Sequence, residues 1–319
     1  MEAPPSESVY RNIHIIINPA AGADEPILNT LNDVFKESDA DWQVHITKGN
    51  DDAKAFVPQA LEAGADVIAA YGGDGTVMAV AGALADAKTQ VPLAILPGGT
   101  GNAIAMELRV PRKLVQAAAL INGAPSFQRN VDLGKTGDGY FMLRLGVGVL
   151  ADIDLGADRE TKDAIGILAY PLSIFQHFTN LEPARYELEL DGEKVETEGV
   201  LCSVLNAATL GISGLSLSKN VDINDGLLEV VVLNQANLSA LASFASSSIS
   251  GEIQGDEFQH WSVREVRINS VPSQKVTTDG ELLGDTPVTA RAVKDAIKVI
   301  VPHEAIRSML DYSTEPSTK

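Results

Sequence analysis

Short apolar runs alternate with amphipathic segments through the first third of the chain. NIHIIIN (Asn12 to Asn18), WQVHITK (Trp42 to Lys48), DVIAAY (Asp66 to Tyr71) and PLAIL (Pro92 to Leu96) have the length and composition of strands. Between them, segments 25–38, 51–63 and 76–87 space their apolar residues as helices do, and another such segment follows at 112–122. Buried runs alternating with helices predict βαβ units around a mostly parallel sheet.

After Asn122 and Gly123 the period changes from that of a helix to two. RYELELDGEKVETEGVLCSVLN, Arg185 to Asn206, alternates around an Asp-Gly pair and reads as a hairpin. GLLEVVVLN, SVREVRINS, QKVTTDGELL and AIKVIVP continue in the same manner. Two helical segments, 162–177 and 237–246, interrupt a half that is otherwise mainly antiparallel β. The division predicts an α/β domain over 9–125 and a β domain over 126–301.

Three of the early strands end in small, glycine-bearing turns. NPAAG (Asn18, Pro19, Ala20, Ala21, Gly22) follows the first strand, and GGDGT (Gly72, Gly73, Asp74, Gly75, Thr76) follows the third. PGGTGN follows the fourth, with Gly98, Gly99, Thr100, Gly101 and Asn102. A strand that feeds a helix through glycines presents unpaired backbone N–H groups, and the helix dipole favours an anion there. One such turn is explained equally well by packing. Three at strand C-terminal ends in one domain predict a phosphate-binding crevice. Asp74 among them is either an orienting acid or a helix cap.

Composition narrows the class. The 319 residues correspond to about two domains at ~150 residues each. Only 5% is aromatic and the formal net charge is −19, which argues against a nucleic-acid partner. Cys202 is the single cysteine, so neither an intramolecular disulfide nor a cysteine-held zinc is expected. No run approaches the ~20 apolar residues of a spanning helix, and the N-terminus lacks the pattern of a signal peptide. A soluble cytoplasmic protein is expected. There is no G-x-x-x-x-G-K-[ST] loop and no G-x-S-x-G elbow.

Two acidic groups stand in the second half: Asp222 and Asp225 in VDINDGLLEV, and Asp279 and Glu281 in TTDGELLGD. Asp-Gly is a common hairpin turn. Phosphoryl transfer, however, needs acids both for magnesium and for the accepting hydroxyl.

NPAAG, GGDGT, PGGTGN, KDAIGILAY, NDGLLEV and DGE, in that order, resemble the soluble diacylglycerol/sphingosine lipid kinases, and above all their bacterial branch. NAD kinases share a GGDGT loop but do not usually carry PGGTGN. The resemblance implies an NAD kinase- and phosphofructokinase-like three-layer α/β domain followed by a β-sandwich domain. It also implies that a last segment, 302–312, packs back on the first domain. Carried over, Asn18 to Gly22, Thr47, Gly72 to Thr76, Gly99, Thr100 and Asn102 line an ATP site. Asp225, with the carbonyls of Asp222 and Leu227, holds a structural magnesium. Asp279 and Glu281 supply the base, and Asp74 joins the magnesium–water network. The chain departs from the family pattern at Ala79, at Ala103 and around SKNVD, where an acid, an acid and an alanine-proline pattern are usual.

The expectation is an ATP- and Mg²⁺-dependent kinase acting on a lipid hydroxyl, that of diacylglycerol first. Phosphorylation of a soluble acceptor such as NAD, and a nucleotide- or lipid-binding protein without turnover, stay open. The acceptor lies in a bilayer, so transient membrane docking is expected, with Arg109, Arg112 and Lys113 as the densest basic cluster. A homodimer is compatible with the sequence and not decided by it.

Overall fold

A computed structural model describes residues 10–21, 25–49, 51–151, 182–207, 222–234 and 258–304. Two compact units emerge: Met1–Val131 with Ala296–Lys319, and Asp132–Asp295.

In the first unit, β1 (Asn12–Ile17) pairs in parallel with β2 (Asp41–Ile46) on one side and β3 (Val67–Gly72) on the other. β3 pairs with β4 (Leu93–Pro97), which pairs with the last strand, β16 (Val288–Pro302), again in parallel. Every residue of β3 and β4 is buried, whereas edge strand β2 is largely exposed. Continuous apolar runs are required when a parallel strand is covered on both faces.

The order β2-β1-β3-β4 reverses direction between β1 and β3. Right-handed crossovers then carry α1 (Ile27–Phe35) to one face and α2 (Asp52–Glu62) and α3 (Asp74–Ala87) to the other. The packing agrees: α2 lies against α3, and α1 against α5 (Leu114–Ala119). A short helix, α4 (Ala103–Glu107), precedes α5. The reversal opens a crevice at the carboxyl ends of β1 and β3, where two of the glycine turns lie.

The second unit is antiparallel. β7 (Arg144–Val147) lies between β10 (Leu201–Leu205) and β14 (Lys275–Thr278). β10 continues to β11 (Leu228–Leu233) and β12 (Phe258–Val263), and β14 to β15 (Glu281–Asp285). The other sheet joins the start of β16 to β13 (Glu265–Val271), β8 (Ala184–Leu190) and β9 (Glu193–Gly199). In the same sheet, β5 (Ser126–Thr136) pairs with β16 and with β6 (Gly139–Phe141).

Inward residues of the two sheets form one core. Tyr186, Leu188, Val266 and Ile268 come from one, and Leu145, Val204, Val230 and Val276 from the other. That interdigitation makes the unit a β-sandwich.

Several sequence expectations need adjustment. SVREVRINS is not one strand: it breaks at Arg264, and its two parts, β12 and β13, belong to different sheets. AIKVIVP is the second half of a fifteen-residue strand that begins in one unit and ends in the other. The helices expected at 162–177 and 237–246 lie outside the described residues, as does all but the start of 302–312.

Candidate active site

The three turns expected to bind phosphate are joined by side-chain and backbone contacts. Asn18, at the end of β1, donates from its backbone N to the Tyr71 carbonyl at 2.9 Å. Its Nδ2 donates to Thr76 Oγ1 at 3.1 Å, and its Oδ1 accepts the Ala20 N–H at 3.0 Å. One side chain thus ties the NPAA turn to the first turn of α3. Thr47 is buried at the end of β2, where its N–H meets the Ile17 carbonyl at 2.9 Å. Pro19 and Ala20 are exposed, Ala21 is half-buried, and Gly22 lies outside the described residues.

Packing explains several of the glycines. A Cβ on Gly99 would lie 2.5 Å from the Cα of Gly73, so the GGDGT and PGGTGN loops touch backbone to backbone. A Cβ on Gly72 would strike the Thr76 side chain at 2.5 Å, and one on Gly98 the Tyr71 ring at 2.7 Å. Gly101 has room for a Cβ, whose nearest neighbour would be Asp74 Oδ2 at 3.5 Å. Asn102, in left-handed backbone at φ 51°, braces its own loop. It accepts the Gly99 N–H at Oδ1 (2.9 Å) and donates from Nδ2 to the Gly99 carbonyl.

Asp74 caps a helix, but not its own. Its Oδ2 accepts the Ala103 N–H at 3.0 Å and its Oδ1 the Ile104 N–H at 2.9 Å, at the start of α4. Five residues cannot sustain a helix alone, and α4 has no side-chain bond from its own cap residue. The carboxylate supplies the missing acceptors from 29 residues away.

Among the described residues, the N–H groups of Asp74, Gly75 and Thr76 have no acceptor, and neither do those of Thr100, Gly101 and Asn102. The two contiguous loops therefore offer two sets of donors, the arrangement an anion requires.

The expected basic cluster is not a uniform patch. Arg112 turns back onto the protein and donates to the carbonyls of Thr100 (3.1 Å) and Gly101 (3.3 Å). Arg109 and Lys113 are exposed.

In the second unit, Asp279 and Gly280 form the β14–β15 turn, both with positive φ (47° and 92°). Asp279 accepts three backbone N–H bonds: Met142 at 2.7 Å, Leu143 at 3.0 Å and Arg144 at 2.9 Å. Burial nevertheless pushes its carboxyl up to about 6, against the pull of those donors and of Arg144. Glu281, two residues on, is exposed at the start of edge strand β15. The two acids thus differ in kind: one is held on three sides and the other faces solvent.

Asp222, Asp225 and Leu227 share one turn. Asp225 N–H donates to the Asp222 carbonyl at 3.2 Å, and Leu227 N–H to Asp225 Oδ1 at 2.8 Å. Asn224, its amide nitrogen turned inward, donates to both Asp222 carboxylate oxygens at 2.8 and 3.2 Å.

Asp132, which sequence reasoning missed, fixes this turn from below. Its fully buried carboxylate accepts the N–H groups of Gly226 and Asp295, each at 2.6 Å. Burial raises its pKa against the pull of those two N–H bonds, and the charges of Asp295 and Asp225 add to the rise. Oxygen donors beside concentrated negative charge are the kind a hard divalent cation takes, but among the described residues no three or more His, Cys, Asp and Glu side chains converge as a metal site would require. The signal in the sequence was a lone acid in the apolar run NVDLG.

The α/β domain and the antiparallel β domain that follows it each resemble a known family. Residues 12–136 match the diacylglycerol kinase catalytic domain. Residues 145–301 match the YegS C-terminal NAD kinase beta sandwich-like domain. The diacylglycerol kinase of Bacillus subtilis strain 168 is 28% identical over 94% of this chain and 100% of its own. A YegS-like candidate lipid kinase of Pseudomonas putida KT2440 is 31% identical over 70% and 74%. The crystal structure of a candidate diacylglycerol kinase from Bacillus anthracis str. Sterne matches with a TM-score of 0.76 at 27% identity, covering 94% of this chain and 99% of that one. The chain belongs to the bacterial diacylglycerol kinase and YegS-like family of lipid kinases. No helix among the described residues is long and apolar enough to cross a membrane.

Proposed function

We propose that the protein transfers the γ-phosphoryl group of ATP to the free hydroxyl of diacylglycerol, with magnesium. The observation that carries this reading is the double set of N–H donors, at Asp74–Thr76 and Thr100–Asn102, that have no acceptor among the described residues, on loops packed together through Gly73 and Gly99. Those donors hold the nucleotide phosphates, and Asn18 and Thr47 lie at the ends of the adjacent strands.

Glu281 is the proposed base. It takes the proton of the acceptor hydroxyl as that oxygen bonds to the γ-phosphorus and the bond to the ADP oxygen breaks. Asp279 holds the turn that presents Glu281, through its three N–H bonds to residues 142–144. Asp74 keeps α4 seated beside the phosphate loops, and a role in a magnesium–water network is part of the same proposal. Asp225 and the carbonyls of Asp222 and Leu227 would hold a structural magnesium. When bound, magnesium neutralises negative charge among these groups. The lipid acceptor rests on the family and on the diacylglycerol kinases among its relatives.

The test is incubation with MgATP and one acceptor at a time: diacylglycerol in mixed micelles, sphingosine, or NAD. Mass spectrometry should find phosphatidic acid as the main product. NADP as the product, or ATP bound without turnover, would replace this reading with one of its rivals.

A further inference from the structure

We infer that Arg112 is the positioning residue of the PGGTGN loop, setting which ends of its peptide groups face the nucleotide. The inference rests on the reading of that loop as an ATP phosphate site. A loop of Gly, Thr and Gly has little side-chain bulk to fix its peptide planes. Each trans peptide carries its C=O and N–H on opposite sides. A plane turned over would therefore present a carbonyl oxygen, and repulsion, to a phosphate.

Arg112 removes that freedom at two successive planes. One guanidinium nitrogen donates to the Thr100 carbonyl at 3.1 Å, and another to the Gly101 carbonyl at 3.3 Å. The second also contacts Met106 Sδ at 3.8 Å, which steadies the group against α4. With both carbonyls turned toward Arg112, the N–H groups of Gly101 and Asn102 point the other way. Neither has an acceptor among the described residues. Asn102 braces the same loop through Gly99, so side chains fix it at three consecutive residues, Gly99, Thr100 and Gly101. The positive charge behind the loop also favours a polyanion in a chain of net charge −19. A lysine cannot reproduce the fork, because its single ammonium bonds the two carbonyls poorly at once.

Arg112→Gln, Arg112→Lys and Arg112→Ala should be compared with wild type by calorimetric ATP binding, KM for ATP, KM for the lipid acceptor and melting temperature. The account predicts ATP affinity lowered about tenfold in Arg112→Gln, as expected on losing charge-assisted bonds. Lysine should recover only part of the loss. KM for lipid and the melting temperature of the free protein should stay near wild type. Guanidinium at low millimolar concentration should restore ATP binding to Arg112→Ala. Wild-type ATP affinity in Arg112→Gln would overturn the inference alone. So would a loss that follows the melting temperature and is not rescued by guanidinium. A wild type that binds no ATP would remove the phosphate-site reading and the inference with it.

Discussion

Gly73 and Gly99 touch backbone to backbone: a Cβ on Gly99 would lie 2.5 Å from the Gly73 Cα and 3.2 Å from its N. The chain carries glycine clusters after both β3 and β4 because neighbouring parallel strands bring their turns side by side. A side chain on Gly99 would drive the loops apart. Packing and the proposed anion binding thus make one demand here, since the same contact that excludes a Cβ makes the two donor sets contiguous.

Gly99→Ala should accordingly destabilise the first unit by about 1–3 kcal/mol, the usual cost of overpacking, and weaken ATP binding. Gly101→Ala is the control, because its Cβ would make an ordinary 3.5 Å contact with Asp74 Oδ2. Thermal melts with and without ATP distinguish the two. Equal behaviour of the variants would mean that the loop contact does not matter.

The two acids of the TTDGE turn should separate by stability. Glu281→Gln removes an exposed carboxylate and should leave stability within about 0.5 kcal/mol. It should lower kcat by ~10²–10⁴, the loss typical of a general base. Asp279→Asn turns an amide nitrogen toward one of three backbone donors. It should cost about 1–3 kcal/mol of stability as well as activity. Denaturant melts beside initial rates decide. A stable but inactive Asp279→Asn with an active Glu281→Gln would exchange their roles.

Magnesium should raise the melting temperature of the wild type, because a ligand of the folded state alone adds stability by mass action. Asp225→Ala should abolish that rise. A similar Mg²⁺ response in the variant would take the metal away from the Asp222–Leu227 turn.

The His14–His45 pair gives the first unit a pH dependence. His14 Nδ1 lies 2.9 Å from His45 Nε2, and the rings stack with centroids 5.1 Å apart. Burial lowers both pKa values below the ordinary 6.5, and His14 lowers His45 further, while Asp41 and Asp66 offset part of the shift at His14. The unfolded chain therefore binds more protons than the folded one as pH falls below 6.5. The contribution is complete above that pH and is lost as pH drops through the lowered values. Melting temperature should fall between pH 7 and 5, and less steeply in His14→Gln/His45→Gln. Parallel curves for the two proteins would acquit the pair.

Local patterns revealed much of this fold. The runs of β3 and β4 are apolar throughout, and that of β1 is apolar but for Asn12 and His14, because both faces of a central parallel strand are covered. The Asp191-Gly192 and Asp279-Gly280 pairs turn hairpins because each adopts two successive positive φ angles.

The features that escaped are long-range bonds from a side chain to backbone, which leave no periodic trace. The break between β12 and β13 has no glycine or proline. It is held by Asp191, which accepts the N–H groups of Arg264 and Glu265 from 73 and 74 residues away. α4 begins where Asp74 supplies acceptors, and the Asp222–Leu227 turn sits on Asp132, 94 residues before Gly226. Arg112 looked like part of a basic surface because its partners are two carbonyls, which the sequence does not display.

The central claim is transfer of phosphate from ATP to a lipid hydroxyl through Glu281. It is tested most directly by measuring phosphatidic acid formed from diacylglycerol and MgATP, for wild type and Glu281→Gln, alongside ATP binding by both. The account predicts product with the wild type, at most about one-hundredth of that rate with the variant, and equal ATP affinity. Undiminished phosphatidic acid from Glu281→Gln, or none from a wild type that binds ATP, would contradict it.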